Sequence, residues 1–483
     1  MTPIIRRRAS LSLLLFQSAL LTCARAQTAP APVAPISGPL SLGGAIGGAI
    51  AANPTARASA QELTLAQAQL AQARAAAGFG VTLDSSVGGS NANVIQGPPN
   101  RESFGTVTNT LTVPLNIGPF GRRTKLGITQ AQQQLTAAQA RFEAARLELA
   151  GQVGTAFYDL LRQRALLQIA RATEAEAVRQ YVDAGKRFKL GDAPDLDVTR
   201  ARVPVANARA AEFSALNALA VARATLNVLI GQPLDAPLDV QDVPLAATQL
   251  DLTLEAARTR AIAFSPSVRA ADATVRANET ALQIAKRSRD PVLALQGSDI
   301  RSNDKTGFSR LDSVQATISI PLSDGGLSKA QRQAAQAALE QARAQAQVAR
   351  QTTLLAVSAA YLTAQSSQKQ LGAALEARDV AQTAYDKTAR GYRLGLFPLA
   401  DVLTAGNELR QARTAYAQAL YEAANAVSTL TNTVNSGATT VPASGGAPAV
   451  AAPSTTPATT APAAPVAGTA ASSGTAPLAG GAP

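Results

Sequence analysis

Asp195 and Asp197 follow the run Leu190-Gly191-Asp192-Ala193-Pro194, and Asp401 follows Leu394-Gly395-Leu396-Phe397-Pro398. Asp197 and Asp401 are 204 positions apart. At that offset Phe188 aligns with Tyr392, Leu190 with Leu394, Gly191 with Gly395 and Pro194 with Pro398. The chemistry on offer is conformational and electrostatic. Glycine after the last leucine can take the left-handed backbone that ends a helix, and proline cannot continue the incoming helix. Asp195 or Asp197 can then accept from the free N–H groups of the outgoing helix. Each stretch reads as the tip of a helical hairpin, and the repeat as an internal duplication.

Catalytic chemistry has little to work with. The chain contains no histidine, so the usual general base and commonest metal ligand are missing. It has no glycine-rich phosphate loop and no Gly-x-Ser-x-Gly. Neither an enzyme nor a cofactor is expected, and the lack of His with a single Met argues against a dedicated soft-metal exporter. The formal charge is +12, with four arginines (Arg6, Arg7, Arg8, Arg25) near the N-terminus. The remaining excess of about eight is spread along helices without a basic-aromatic cluster, so nucleic acid is not an expected partner.

Residues 1–26 read as a secretory signal: Arg6-Arg7-Arg8, the apolar run Leu11 to Leu21, and Ala24-Arg25-Ala26 before cleavage. Thr22-Cys23 offers the alternative of cleavage before Cys23 and lipidation there. A Pro/Ala linker occupies 27–38. No later segment reads as a membrane-spanning helix, so a place in a membrane would require a barrel.

The first repeat is assigned to 39–230 and the second to 251–435, joined by a connector at 231–250. Each opens with a short helix stopped at Asn53-Pro54 or Ser265-Pro266, followed by a longer one. The period then switches from helical to alternating. Val107, Leu111, Val113 and Leu115 (with Asn109 as the exception) face away from Thr106, Thr108, Thr110 and Thr112. Val314, Ala316, Ile318 and Ile320 likewise oppose Ser313, Gln315, Thr317 and Ser319. Weaker strands precede them at Phe79-Val81-Leu83 and Leu293-Leu295, with polar loops at Gly89–Ser103 and Asp299–Arg310. The expectation is two hairpins of strands about ten residues long, the span of a tilted membrane strand. Four strands cannot close a barrel, but three chains contributing four each can.

Proline-free stretches from Lys125 to Leu190 and from Leu327 to Leu394 predict helices of about 100 Å. They return as Asp195–Leu229 and Leu399 to about Thr431. Alanine-rich helices with sparse large apolar residues need partners packed alongside. Residues 436–483 carry no charge and are rich in Ala, Pro and Thr, a composition expected to be disordered.

The Leu-Ser-Leu…Asn-Pro opening, the strand ending in Pro-Leu before a long helix, the Leu-Gly…Asp-Val tip and the duplication of the whole set resemble the TolC-like outer-membrane efflux proteins. The resemblance covers nearly all of Pro39 to Asn435. It implies a mostly α fold with a small β part: a trimeric α-helical barrel of long coiled-coil hairpins in the periplasm, plus a twelve-stranded outer-membrane β-barrel. It implies a passive exit duct of a tripartite efflux or type I secretion system. Its partners would be the lipid bilayer, a periplasmic adaptor and an inner-membrane pump of RND, ABC or MFS type. In the family, aspartates ring the closed tip. Asp401-Val402-Leu403 matches that motif, Asp197 holds the same column of the first repeat, and Asp195 stands beside it. A second acidic ring position is Thr404 here. Leu190, Gly191, Leu394 and Gly395 match the tips where adaptor hairpins dock, with Arg187 and Arg393 beside them. The competing reading is a coiled-coil tether between outer membrane and cell wall, which has no use for lipid-length strands.

Overall fold

In a computed structural model of the chain, the described residues are 39–78, 80–93, 101–242, 252–304 and 307–434. The signal at 1–26 with Cys23, the linker at 27–38, Phe79, the connector's residues 243–250 and the tail at 436–483 lie outside them.

Helices α1 (Leu42–Ala52) and α2 (Pro54–Ala77) lead into strands β1 (Thr82–Asn93) and β2 (Arg101–Pro114). Next come α3 (Arg122–Lys189) and α4 (Asp195–Ile230). The order then repeats: α5 (Leu254–Phe264), α6 (Pro266–Lys286), β3 (Val292–Asp304), β4 (Gly307–Ser319), α7 (Leu327–Arg393) and α8 (Leu399–Val434). Local chemistry sets each boundary. Ser41 and Thr253 accept from Gly44 N–H and Ala256 N–H at the starts of α1 and α5. Asn53 caps α2 through Thr55 N–H at 2.9 Å, with Pro54 in the first turn where its missing N–H costs nothing.

α3 (68 residues) and α7 (67 residues) are the two continuous elements, each about 100 Å long. The half-length helices fill in around them. Beside the sheet, the helices lie side by side in the order α2, α3, α6, α7; towards the tips the order is α4, α3, α8, α7. α1 packs on α3 and α4, and α5 on α7 and α8, where the two layers meet. The core is therefore split into local clusters. Leu149, Val153, Phe157 and Leu161 of α3 meet Leu226 and Ile230 of α4 and Ala45 and Ala49 of α1. In the second repeat Val357 and Ala364 meet Ala257, Ala261 and Leu430. Alanines at the contacts let backbones approach closely, and cross-helix ion pairs such as Arg209–Glu174 (2.9 Å) and Arg350–Asp272 (2.9 Å) line the edges.

The two β-hairpins join into one antiparallel sheet, β1-β2-β3-β4. Opposed residues share a face. The register therefore stacks Leu83, Leu111, Gly297 and Val314 in one cross-strand row, and Val113, Leu295 and Ala316 in the next. The other face carries Thr106, Thr108, Thr110, Thr112, Gln296, Ser298, Ser313, Gln315 and Thr317, with Ile300 and Leu311 as its apolar exceptions beside Thr108. The strands are 12 to 14 residues long. The stretch Asp299–Arg310 and the described parts of Gly89–Ser103, expected as polar loops, are thus largely ladder. A hairpin ladder is made by backbone groups, so polar side chains do not end it.

By length and composition α4 could cross a membrane, although Arg200, Arg202, Arg209, Glu212 and Arg223 interrupt it. It lies instead along α3, tied by Arg209–Glu174 and Arg171–Glu212. Its Val203, Phe213, Val221 and Val228 remain more than half exposed.

Candidate functional site

The site is the pair of hairpin tips. Leu190 ends α3, and Gly191 follows at φ +79°; Leu394 and Gly395 (φ +76°) do the same after α7. Gly191 N–H donates to Phe188 O and Asp192 N–H to Arg187 O at 2.9 Å. Leu396 N–H donates to Gly391 O at 2.8 Å. This paired closure satisfies the last carbonyls of each helix and requires positive φ at the glycine. It leaves Leu190 75% and Leu394 76% exposed at the outermost turn, an unusual fate for leucine.

The expected aspartate caps are absent. α4 begins after Pro194 with no side-chain cap, and Asp195 and Asp197 both lie within its first turn. The backbone N–H of Asp197 donates to Pro194 O, and that of Asp401 to Pro398 O. A residue inside the turn points its carboxylate away from the free amide groups that a flanking residue would face. The aspartates still favour the helix start through its dipole. Asp195 and Asp401 are exposed, and Asp197 is half-buried.

The tips also touch each other. Tyr392 is buried among Ala184 of α3, Ala201 of α4, and Leu399 and Val402. The Arg187 guanidinium donates to Tyr392 O at 2.6 Å and lies 4.7 Å from its ring centre. Arg187, named from the sequence only as a charge beside the docking tips, thus bonds a terminal carbonyl of α7. Arg393 makes only a 3.4 Å contact to Ala389 O of its own helix and is exposed. Burial pushes the Tyr392 phenol up; Arg187 offsets part of the rise and Asp197 adds to it.

Further along α3, Gln180 donates to Tyr385 Oη at 3.2 Å, and Arg413 of α8 reaches Glu176 at 3.7 Å and Gln382 at 2.6 Å. Burial, with Glu176 close by, pushes the Tyr385 phenol up to about 12. Sequence reading missed this polar tie. The available signal was Tyr181 matching Tyr385 at the same offset of 204 positions. It also missed Asp324, where β4 hands over to α7: its carboxylate accepts from Ser328 N–H at 2.9 Å and from Arg289 at 2.6 Å, and so sits well below the usual carboxylate range. Asp-Gly-Gly ahead of a long helix was the available clue. Among the described residues no group of three His, Cys, Asp or Glu is placed to hold a metal.

A family model described as outer membrane efflux protein matches residues 45–232 and again 257–436. The cobalt-zinc-cadmium resistance protein CzcC of Cupriavidus metallidurans is 26% identical over 419 residues, covering 83% of this chain and 92% of that one. The outer membrane protein TolC of Vibrio cholerae is 23% identical over 311 residues, 63% of this chain and 71% of its own. Among solved structures, the outer membrane protein VceC of Vibrio cholerae superimposes with a TM-score of 0.68 at 21% identity, covering 81% of this chain and 95% of that chain.

Proposed function

The chain belongs to the outer membrane efflux protein family, and we propose that three copies form a passive exit duct across the outer membrane and into the periplasm. The observation that carries this is a pair of open edges. The helical wall ends at α7 on one side and at α2 and α4 on the other, and the sheet ends at β1 and β4. Exposed Val348, Leu355, Leu362 and Val380 lie on α7, and exposed Val203, Phe213 and Val221 on α4. Unlike edges that meet head to tail close a ring. Two copies would give an eight-stranded barrel, whose interior side chains fill; twelve strands leave a channel. The Ser/Thr/Gln face then lines that channel, and the Leu/Val/Ile face meets lipid.

Energy and cargo selection fall to partners: an adaptor that grips the exposed tips at Leu190-Gly191 and Leu394-Gly395, and an inner-membrane pump beyond it. Asp401, Asp197 and Asp195 are the carboxylates at the pore end. The Arg187–Tyr392 and Gln180–Tyr385 contacts hold the second hairpin against the first and so favour the closed tip. Electron-microscope imaging of the detergent-extracted full-length protein tests the duct. A three-fold cylinder with a detergent belt at one end and a stalk of about 100 Å is expected. A monomeric or dimeric rod without a belt would overturn it.

A further inference from the structure

On the apolar face of the sheet, the rows nearest the helices are Leu293 with Ile318, then Val113 with Leu295 and Ala316, then Leu83, Leu111 and Val314. The next row outward is polar on every strand: Ser85, Asn109, Asp299 and Asp312, with Ser85 donating to Asn109 at 2.7 Å. One row further, Val87 and Val107 stay apolar on β1 and β2, while Arg301 and Arg310 stand directly opposite each other on β3 and β4. Like charges in opposed positions repel, and here the acid row beneath holds them. Arg301 contacts Asp299 at 3.0 Å; Arg310 reaches Asp299 at 3.3 Å and Asp312 at 3.0 Å. Among the described residues, the Arg310 contacts to Asp299 and Asp312 run through Nε. Both arginines are more than half exposed.

The boundary is oriented, with carboxylates on the hydrocarbon side and guanidiniums on the side of the hairpin tips. We infer that Arg301 and Arg310 form a docking surface for phosphate-bearing lipid headgroups of the outer leaflet, fixing the depth of the barrel. This rests on the reading of the sheet as barrel wall. Guanidinium forks match phosphate oxygens, and an exposed guanidinium pair set between the apolar rows and Phe308 suits the headgroup plane.

The test inserts delipidated full-length protein into phosphatidylcholine vesicles containing a minor fraction of phosphatidic acid, then re-extracts it and weighs the retained lipid by mass spectrometry. Wild type should enrich phosphatidic acid about tenfold over its share, and R301Q/R310Q should fall to that share. R301K/R310K should keep part of the enrichment, and D299N/D312N should keep all of it. Equal retention by wild type and R301Q/R310Q, or loss in D299N/D312N as complete as in R301Q/R310Q, would overturn the assignment. So would full displacement of the lipid by inorganic phosphate, which would leave a free-anion site instead. Failure of wild type to insert at all would sink the membrane reading itself, whereas insertion without lipid preference sinks only this surface.

Discussion

At the first tip Phe188 is 45% exposed, while its counterpart at the second, Tyr392, is 6% exposed. Arg187 reaches out from the first tip to the Tyr392 carbonyl and ring; Gly391, in the same column, has the Phe397 ring laid so close that a Cβ would fall 2.2 Å from it. The helix stops are the same, so the duplication kept the backbone device. What diverged is which tip braces and which is braced. The second tip is held to the first by the Tyr392 cluster, by Arg187 and by the Gln180–Tyr385 contact.

The largest break in that comparison should come from Tyr392→Ala. It should cost about 3 kcal/mol of local stability, against less than about 1.5 for Phe188→Ala, read from hydrogen exchange of the tip amides. Gly391→Val should overpack against Phe397 by about 1–3 kcal/mol, and pairing it with Phe397→Ala should recover most of that loss. Arg187→Ala should weaken the tip contact by about 1–2 kcal/mol and raise the open probability of single channels. Arg393→Ala should stay within about 0.5 kcal/mol; equal effects of the two would refute the brace.

Tyr385 titrates in the same comparison. Its folded value of about 12 lies above the ordinary 10. The stability it confers is therefore complete below pH 10 and is lost as pH rises from there towards 12. Tyr385→Phe should reduce that alkaline loosening, seen as a smaller loss of tip protection factors across the window, with Tyr392 supplying the remainder. A small stability effect belongs to Asp401→Ala: about 0.3–1 kcal/mol through the helix dipole, with reduced cation preference in planar bilayers. Unchanged selectivity would remove Asp401 from the pore ring.

The elements were legible because each carries its own local chemistry. Asn53-Pro54 and Ser265-Pro266 stop helices wherever they occur, and Gly191 and Gly395 supply positive φ without regard to their surroundings. The alternation of Val314, Ala316 and Ile318 needs only a pleat. The site was half legible. Leu190, Leu394 and the three aspartates stand at the tips, but the capping role expected of Asp195 or Asp197 is not taken up, since α4 has no side-chain cap. Nothing near Arg187 in sequence announces that its partner is Tyr392, 205 residues away. The ladder through Asp299–Arg310 was missed for the same reason, since backbone pairing depends on the strand opposite.

By itself, then, the sequence determined the helix and strand types, their order, the duplication and the two tip turns, all of them consequences of backbone preference and side-chain period. Tertiary structure alone decided that the two hairpins share one sheet, that α7 and α4 present unpaired apolar edges, and that one tip clasps the other. Those outcomes depend on which surfaces meet, and a contact between residues two hundred positions apart leaves no mark on either local pattern.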